Sequence, residues 1–392
     1  MRHRYIFMVG PPGRARATGP PLGGFVWSIR PVAVVSLCTV GPVAGTQPVS
    51  DESGLSMRER LRRVLDVVTS RLFVRGAFLV FFAWACTRLV AFEAWARGTG
   101  PYVARPEAVA GLLPVGHFTS FFAWVRGGGW DTLLPAGLVI ILMALALSVL
   151  FKRGFCGWIC PLGTVWELAG ALGRRTLGRT LRMPRWLDLG LRGLRYAFAG
   201  LLMLWLLTVP LDQAVAFRQL PYMWVADIKI IQSLMNPVFI VLAAVAFIAS
   251  TLSGSVWCRY LCPLGGLYGS VGALSLCTVR RDEGTCISCG VCSKACHALV
   301  DVEHSARPIR HPECDGCMDC VRACPVPGAL EARAPGGVRI DPRIWMLLVV
   351  ALWLGGWGVA RVAGAWDTTI PPQAFRQVIQ SGMVDQRTPG GL

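Results

Sequence analysis

Five apolar runs constrain this chain more than any other feature: Gly76–Ala94, Leu133–Phe151, Tyr196–Leu211, Pro237–Val256 and Ile344–Ala360. About 20 helical residues cross a bilayer core, and inside it every backbone polar group must be satisfied within the segment, so continuous apolar runs become helices. The third run is the shortest and is interrupted by Pro210. Any one of them alone also suits a buried core helix. Five in a chain that is 54% hydrophobic and only 16% charged predict a polytopic α-helical membrane protein.

A formal charge of +17 suits a nucleic-acid binder, but its distribution points elsewhere. Met57–Arg75 holds six Arg against Glu59 and Asp66, and Lys152–Arg195 holds nine basic residues against Glu167 and Asp188. The intervening segments, Arg97–Asp131 and Asp212–Met235, are nearly balanced. Basic residues that alternate by loop follow the positive-inside pattern. The reading is a multi-pass protein of the cytoplasmic (inner) membrane that starts inside at Met57, crosses five times and ends outside. Its basic loops are expected against anionic lipid, and nucleic acid is not expected as a partner. Residues 1–56 mix Pro and Gly with one short apolar stretch, Pro31–Ala44, that is too brief to span. They read as a disordered extension or a mis-called start, and Cys38 is given no role.

Two of the runs end alike, in FCGWICPLG (155–163) and WCRYLCPLG (257–265). Aligning 154–173 with 256–275 gives eight identities in twenty, among them both Cys, Pro, Leu and Gly of the motif. The repeat predicts a duplicated helix pair, with a pseudo-two-fold axis along the membrane normal. It divides the chain into a four-span domain (57–276), an inserted Cys-rich α+β segment (277–341) on the cytoplasmic side, and a fifth span with an outside tail (342–392).

The inserted segment carries CISCGVCSKAC and CDGCMDCVRACP. This is C-x2-C-x2-C-x3-C twice, the spacing of two-cluster bacterial ferredoxins, in which the fourth cysteine serves the other cluster. Cys286, Cys289, Cys292 and Cys324 are therefore expected on one [4Fe-4S] cluster, and Cys314, Cys317, Cys320 and Cys296 on a second. Zinc calls for four ligands in looser pairs, and disulfides do not suit a cytoplasmic segment. His297 stands where Pro is usual after the first motif. In the C-x3-C-P motifs, Cys156/Cys160 and Cys258/Cys262 share a helix face if the turn is α-helical. All four could converge on one site. Three roles stay open for them: a metal or cluster site, redox-active dithiols, or packing. Cys86 and Cys277 read as packed thiols.

Duplicated C-x3-C-P motifs after helix pairs, followed by a two-cluster segment, resemble the NapH-type membrane iron–sulfur proteins. Relatives of that type occur among regulators of nitrous oxide respiration, methylamine-utilisation ferredoxins and maturation factors of cbb3-type oxidases. The resemblance covers about Arg58–Arg343, and the fifth span goes beyond the plain four-helix pattern. It implies quinol oxidation, with the membrane quinone pool as donor, and passage of electrons to another iron–sulfur or cytochrome protein, respiratory or periplasmic. A quinol site needs a proton acceptor. His117 and Glu93, near the outer side of the first helix pair, are candidates, with Arg88 inside the first run, where a charge is costly. Each also has an ordinary reading: a loop residue, an interface charge and a snorkelling side chain. The alternative function is an assembly factor that reduces or hands over a metal for another redox enzyme. No nucleotide-binding loop or catalytic triad is present.

Overall fold

The computed structural model describes residues 70–177, 183–305 and 308–385. The expectations for residues 1–56, Cys38 and a start at Met57 lie outside them, as does the basic stretch up to residue 69.

The first apolar run folds as helix α1 (Arg71–Arg97), capped by the Ser70 hydroxyl, which accepts from the Phe73 N–H, and closed by Gly98 in the left-handed region. A 3-10 turn (Glu107–Leu112) and a short apolar helix α2 (Pro114–Val125) lead to α3 (Pro135–Phe151). The chain then makes a wide turn (Phe155–Ile159), closed by the Cys160 N–H on the Phe155 carbonyl, and enters α4 (Pro161–Leu177). The second half keeps this order: α5 (Arg185–Thr208), the short α6 (Leu211–Gln219) and α7 (Pro221–Leu234), then α8 (Pro237–Ser253). A matching wide turn (Trp257–Leu261) and α9 (Pro263–Ala273) complete it.

Among the described residues α1, α5 and α12 (Pro342–Val362) are long and apolar enough to cross a bilayer. Two runs depart from simple spans. α3 has 17 residues, about 26 Å at 1.5 Å per residue, short of a bilayer core of about 30 Å. α8 is one arm of a pair with α7 that bends by 71°. At the bend Pro237 has no N–H to continue a helix, and the Asn236 side chain accepts from the Val238 N–H. α5 starts at Arg185 rather than near Tyr196, because its first turns are amphipathic and are held by Asp188, which accepts from Arg192, Arg259 and Tyr260.

The Cys-rich segment contains an antiparallel sheet in the order β1 (Thr278–Arg281), β2 (Leu330–Arg333), β3 (Arg339–Ile340), with Thr278 opposite Arg333 and Arg333 opposite Arg339. Two one-turn helices, α10 (Val291–Ala295) and α11 (Asp319–Ala323), follow the two cysteine loops. The segment has no core of its own. Val279, Val300, Ile309, Met318 and Leu330 pack in one cluster with Val74 of α1, Leu147 and Phe151 of α3, and Trp345 and Val349 of α12. The expected boundary near residue 277 therefore runs through a continuous core.

The tail forms an amphipathic helix α13 (Pro372–Gln380). Phe375, Ile379 and Val384 pack on Leu89, Phe92 and Ala96 of α1 and on Val225 and Ile228 of α7. Arg97 pairs with Asp385, and Gln380 donates to the Ala96 carbonyl.

Candidate redox centre at the cysteine motifs

Each C-x3-C-P motif builds the same local geometry, for a reason legible in its chemistry. A residue before proline is pushed out of the α region. Cys160 and Cys262 are accordingly extended (ψ 118° and 107°). Pro161 and Pro263 then open the next helices, where a missing N–H costs nothing. This leaves each second cysteine at a helix N-terminus, its Sγ 3.4 Å from the N–H of Gly163 or Gly265. Helix N-termini favour negative charge. The pairs thus do not share a face of an α-helix, because the turn closes five residues on and the second thiol belongs to the following helix.

The four motif thiols lie within electrostatic reach of one another. Burial pushes the Cys258 thiol well above its usual range, and Cys160, Cys262 and Cys156 add to it. Burial also raises Cys156, and pushes Cys160 up to about 12. Thiols this buried stay protonated unless a bound cation compensates the thiolate. Four thiols on one tetrahedral ion would sit about 3.8 Å apart, given metal–sulfur bonds near 2.3 Å. Among the described residues the sets of potential ligand atoms within 4.8 Å of one another are His297–Asp315–Cys317 and Glu167–His297–Asp319. The motif thiols are not among these sets. Neither set is a free cation site, since Glu167, Asp315 and Asp319 already pair with Arg71.

In the ferredoxin segment, Cys286, Cys289, Cys292 and Cys324 line one recess, with Arg281 donating to the Cys286 Sγ at 3.7 Å. Cys314, Cys317 and Cys320 lie on the other loop, with Cys296 close. Burial followed by the neighbouring Cys314 and Cys296 raises Cys320 well above its usual range. The first set offers four thiols round one recess, the second brings Cys314 and Cys296 within electrostatic reach of Cys320, and the fit to iron–sulfur clusters rests on that donor chemistry.

The second loop is seated on the motif turns. The Trp158 Nε1–H donates to the Gly316 carbonyl at 3.1 Å. Gly157 packs so closely that a Cβ there would stand 2.6 Å from the Asp315 carbonyl. Charges reinforce the seat. Arg71 donates to both Glu167 oxygens (2.6 and 2.8 Å), and Arg75 pairs with the same carboxylate. Arg153 and Arg195 pair with Glu313. Burial opposes ionisation of Glu167, but His297, Arg71 and Arg75 outweigh it and hold the carboxyl near 2. The same competition leaves Asp315 well below the usual carboxylate range, chiefly through His297 and Arg71. These arginines were expected to face lipid headgroups. They are buried instead, because acids of the inserted segment and of α4 meet them.

A family described as "4Fe-4S binding domain" matches residues 133–180 and 235–276, the two motif regions, and one described as "4Fe-4S dicluster domain" matches 278–325. YccM of Escherichia coli strain K12, named for electron transport, is 33% identical over 286 residues, 71% of this chain and 80% of that protein. The chain belongs to the NapH/NosR-type family of iron–sulfur proteins. The ferredoxin-type protein NapH of the same strain is 30% identical over 49% of this chain and 66% of its own length. The methylamine utilization ferredoxin-type protein MauN of Methylorubrum extorquens is 32% identical over 48% and 62%. No solved structure matches. The family and its 4Fe-4S domains make this an iron–sulfur electron-transfer chain with apolar helices compatible with membrane spans.

The quinol candidates lie on two helices, Arg88 and Glu93 on α1 and His117 on α2. His117 is no loop residue. It is 3% exposed on α2, against Gly137 of α3. Glu93 pairs with Arg97 and accepts from Gln232. Arg88 is half-buried on α1. Near His117 lie groups that sequence reading passed over: Arg105 pairs with Glu107 and Asp227, and Ser120 donates to Asp131, all buried. Acids in a loop carry no signal of burial until their partners are placed. Trp124 and Trp130 meet edge to face, while Trp224 packs on Phe375. His304 is exposed and His311 half-buried. Cys277 is buried in the shared core, and Cys86 is half-buried.

Proposed function

We propose that the protein oxidises membrane quinol and passes the electrons through two [4Fe-4S] clusters to another iron–sulfur or cytochrome protein, respiratory or periplasmic. Bound clusters supply the one-electron chemistry. The chain's residues hold them, keep water from the inner one, and join it to the helical domain. The carrying observation is the seat of the second cysteine loop on the motif turns, Trp158 Nε1–H on Gly316 at 3.1 Å. It gives the ferredoxin segment a rigid connection to apolar helices, which a merely tethered ferredoxin lacks. In this reading Cys286, Cys289, Cys292 and Cys324 hold one cluster, and Cys314, Cys317, Cys320 and Cys296 the other. Cys156, Cys160, Cys258 and Cys262 hold one further centre between the duplicated halves.

The reading places the protein in the cytoplasmic membrane with five crossings, α3 and the α7–α8 pair counted as spans, the ferredoxin segment inside and α13 outside. His117 is the preferred proton acceptor of the three candidates, since it lies within electrostatic reach of Asp131 and Asp227, whereas Glu93 is already paired with Arg97. The relatives' names support electron transfer, and the quinol donor rests on the family resemblance.

The test is anaerobic addition of stoichiometric quinol to the membrane-reconstituted protein, with cluster reduction followed by EPR and visible bleaching. Reduction that disappears with serine at Cys317 or Cys320 is the expected result. Clusters that respond only to a strong chemical reductant would overturn the quinol reading and favour the assembly-factor role.

A further inference from the structure

Two acids flank the ligand Cys314, and between them they reach both halves of the helical domain, Asp315 the first and Glu313 the second with a further contact to the first. Glu313 takes Arg195 of α5, with a second contact from Arg153 at 3.2 Å. Asp315 takes Arg71 of α1 at 3.4 Å and His297 at 2.9 Å. The correspondence goes further. Arg71 opens the first helix of its half and donates through Nε to the Gly157 carbonyl of the first motif, at 3.3 Å. Arg195 lies on the first helix of the other half and donates to the Cys258 carbonyl of the second motif, at 2.9 Å. Each arginine thus grips one motif turn and one acid of the same loop. Close backbone contacts repeat the pattern: a Cβ on Gly157 would stand 2.6 Å from the Asp315 carbonyl, and one on Gly269 of α9 would stand 2.7 Å from the Pro312 carbonyl.

We propose that Glu313 and Asp315 are positioning residues, a two-armed clamp that fixes the Cys314 loop at one separation from the four motif thiols by tying it to both halves at once. This rests on the reading that the motif thiols hold a redox centre. When one electron passes between two such centres, one is oxidised and the other reduced, with no bond made and no proton required. The rate then depends on separation, which is the quantity the clamp controls. The three guanidinium groups and the His297 imidazole around the two acids are themselves buried, between 0 and 10% exposed, so the loop cannot shift without uncovering them.

The experiment uses the full chain in lipid nanodiscs, with Glu313→Gln, Asp315→Asn and the double variant. Three readouts are taken: iron per chain, the magnetic interaction between paramagnetic centres by EPR, and the rate of electron equilibration after a flash of photoreductant. The double variant is expected to keep its iron and each cluster's own signal, while the interaction weakens and equilibration slows at least tenfold. Each single variant should lie between, and Glu313→Asp should recover part of the loss. An unchanged interaction and rate in the double variant would overturn the proposal. If the double variant loses iron, the single Asp315→Asn decides by the same criterion. Cys156→Ser with Cys258→Ser tests the underlying reading separately: if no centre and no iron is lost there, the motif site fails, whatever the clamp does.

Discussion

The two cysteine loops share one spacing and meet opposite surroundings. In the first, Cys289 and Ile287 are exposed, and the loop's Arg281 neighbour still reaches solvent-facing Glu283. In the second, Cys317 and Cys320 are buried, with Glu313 and Asp315 paired to arginines from both halves of the helical domain. Ligand spacing therefore sets which group is held, and the residues between and around the ligands set what it is joined to. The first loop lies at the surface, and the second is part of the molecule's own frame.

Removing one ligand from each loop tests this most severely. Cys320→Ser should cost several times more thermal stability than Cys289→Ser, because only the former sits in the shared core, although each loses one cluster's iron; calorimetry with iron analysis makes the comparison. Glu167→Gln should come next. Arg71 keeps Asp315 and Asp319, but Arg75 loses its carboxylate and stays buried with its charge uncompensated, a loss of about 3–5 kcal/mol for a broken buried pair, read by denaturant unfolding. Gly157→Ala should destabilise by about 1–3 kcal/mol through overpacking. Gly284→Ala, near the first loop, should be nearly neutral, since its closest neighbours are the Asp282 carboxylate oxygens at 3.8 Å. Equal effects at the two glycines would erase the distinction.

The smallest effect is electronic. Arg281→Ala removes a donor to the Cys286 sulfur. A hydrogen bond of about 1 kcal/mol corresponds to about 40 mV for one electron, at 59 mV per tenfold. The first cluster's potential should fall by that amount, since the bond favours the more negative reduced state, while the second stays fixed. An EPR-monitored redox titration resolves the two.

The eight ferredoxin cysteines, the paired motifs and most apolar runs could be read from the chain because their signals are local: a spacing, a repeat, a length. The clamp could not. Glu313 and Asp315 carry no signal in the chain beyond standing either side of Cys314, and Arg71, Arg153 and Arg195 read as basic residues facing lipid. Only their meeting, across separations of 118 to 244 residues, turns both into interior groups. The same holds for α3 and α8. Hydropathy gives an apolar run, while the Asn236–Pro237 break and the 17-residue length of α3 decide how far each reaches. His117 shows the converse, since a single histidine in an apolar stretch gives no hint that α2 will bury it against Gly137.

The packing of α13 against α1 bears on how the chain is made. Phe92 meets Phe375 edge to face, and Arg97 waits for Asp385. The earliest described helix to leave the ribosome is thus finished by the last, and until then the part of it that α13 covers lacks that neighbour. Biogenesis must shelter that part through almost the whole of synthesis. A nascent chain stalled before residue 372 should therefore remain a client of the insertion machinery, even though every cysteine is already in place.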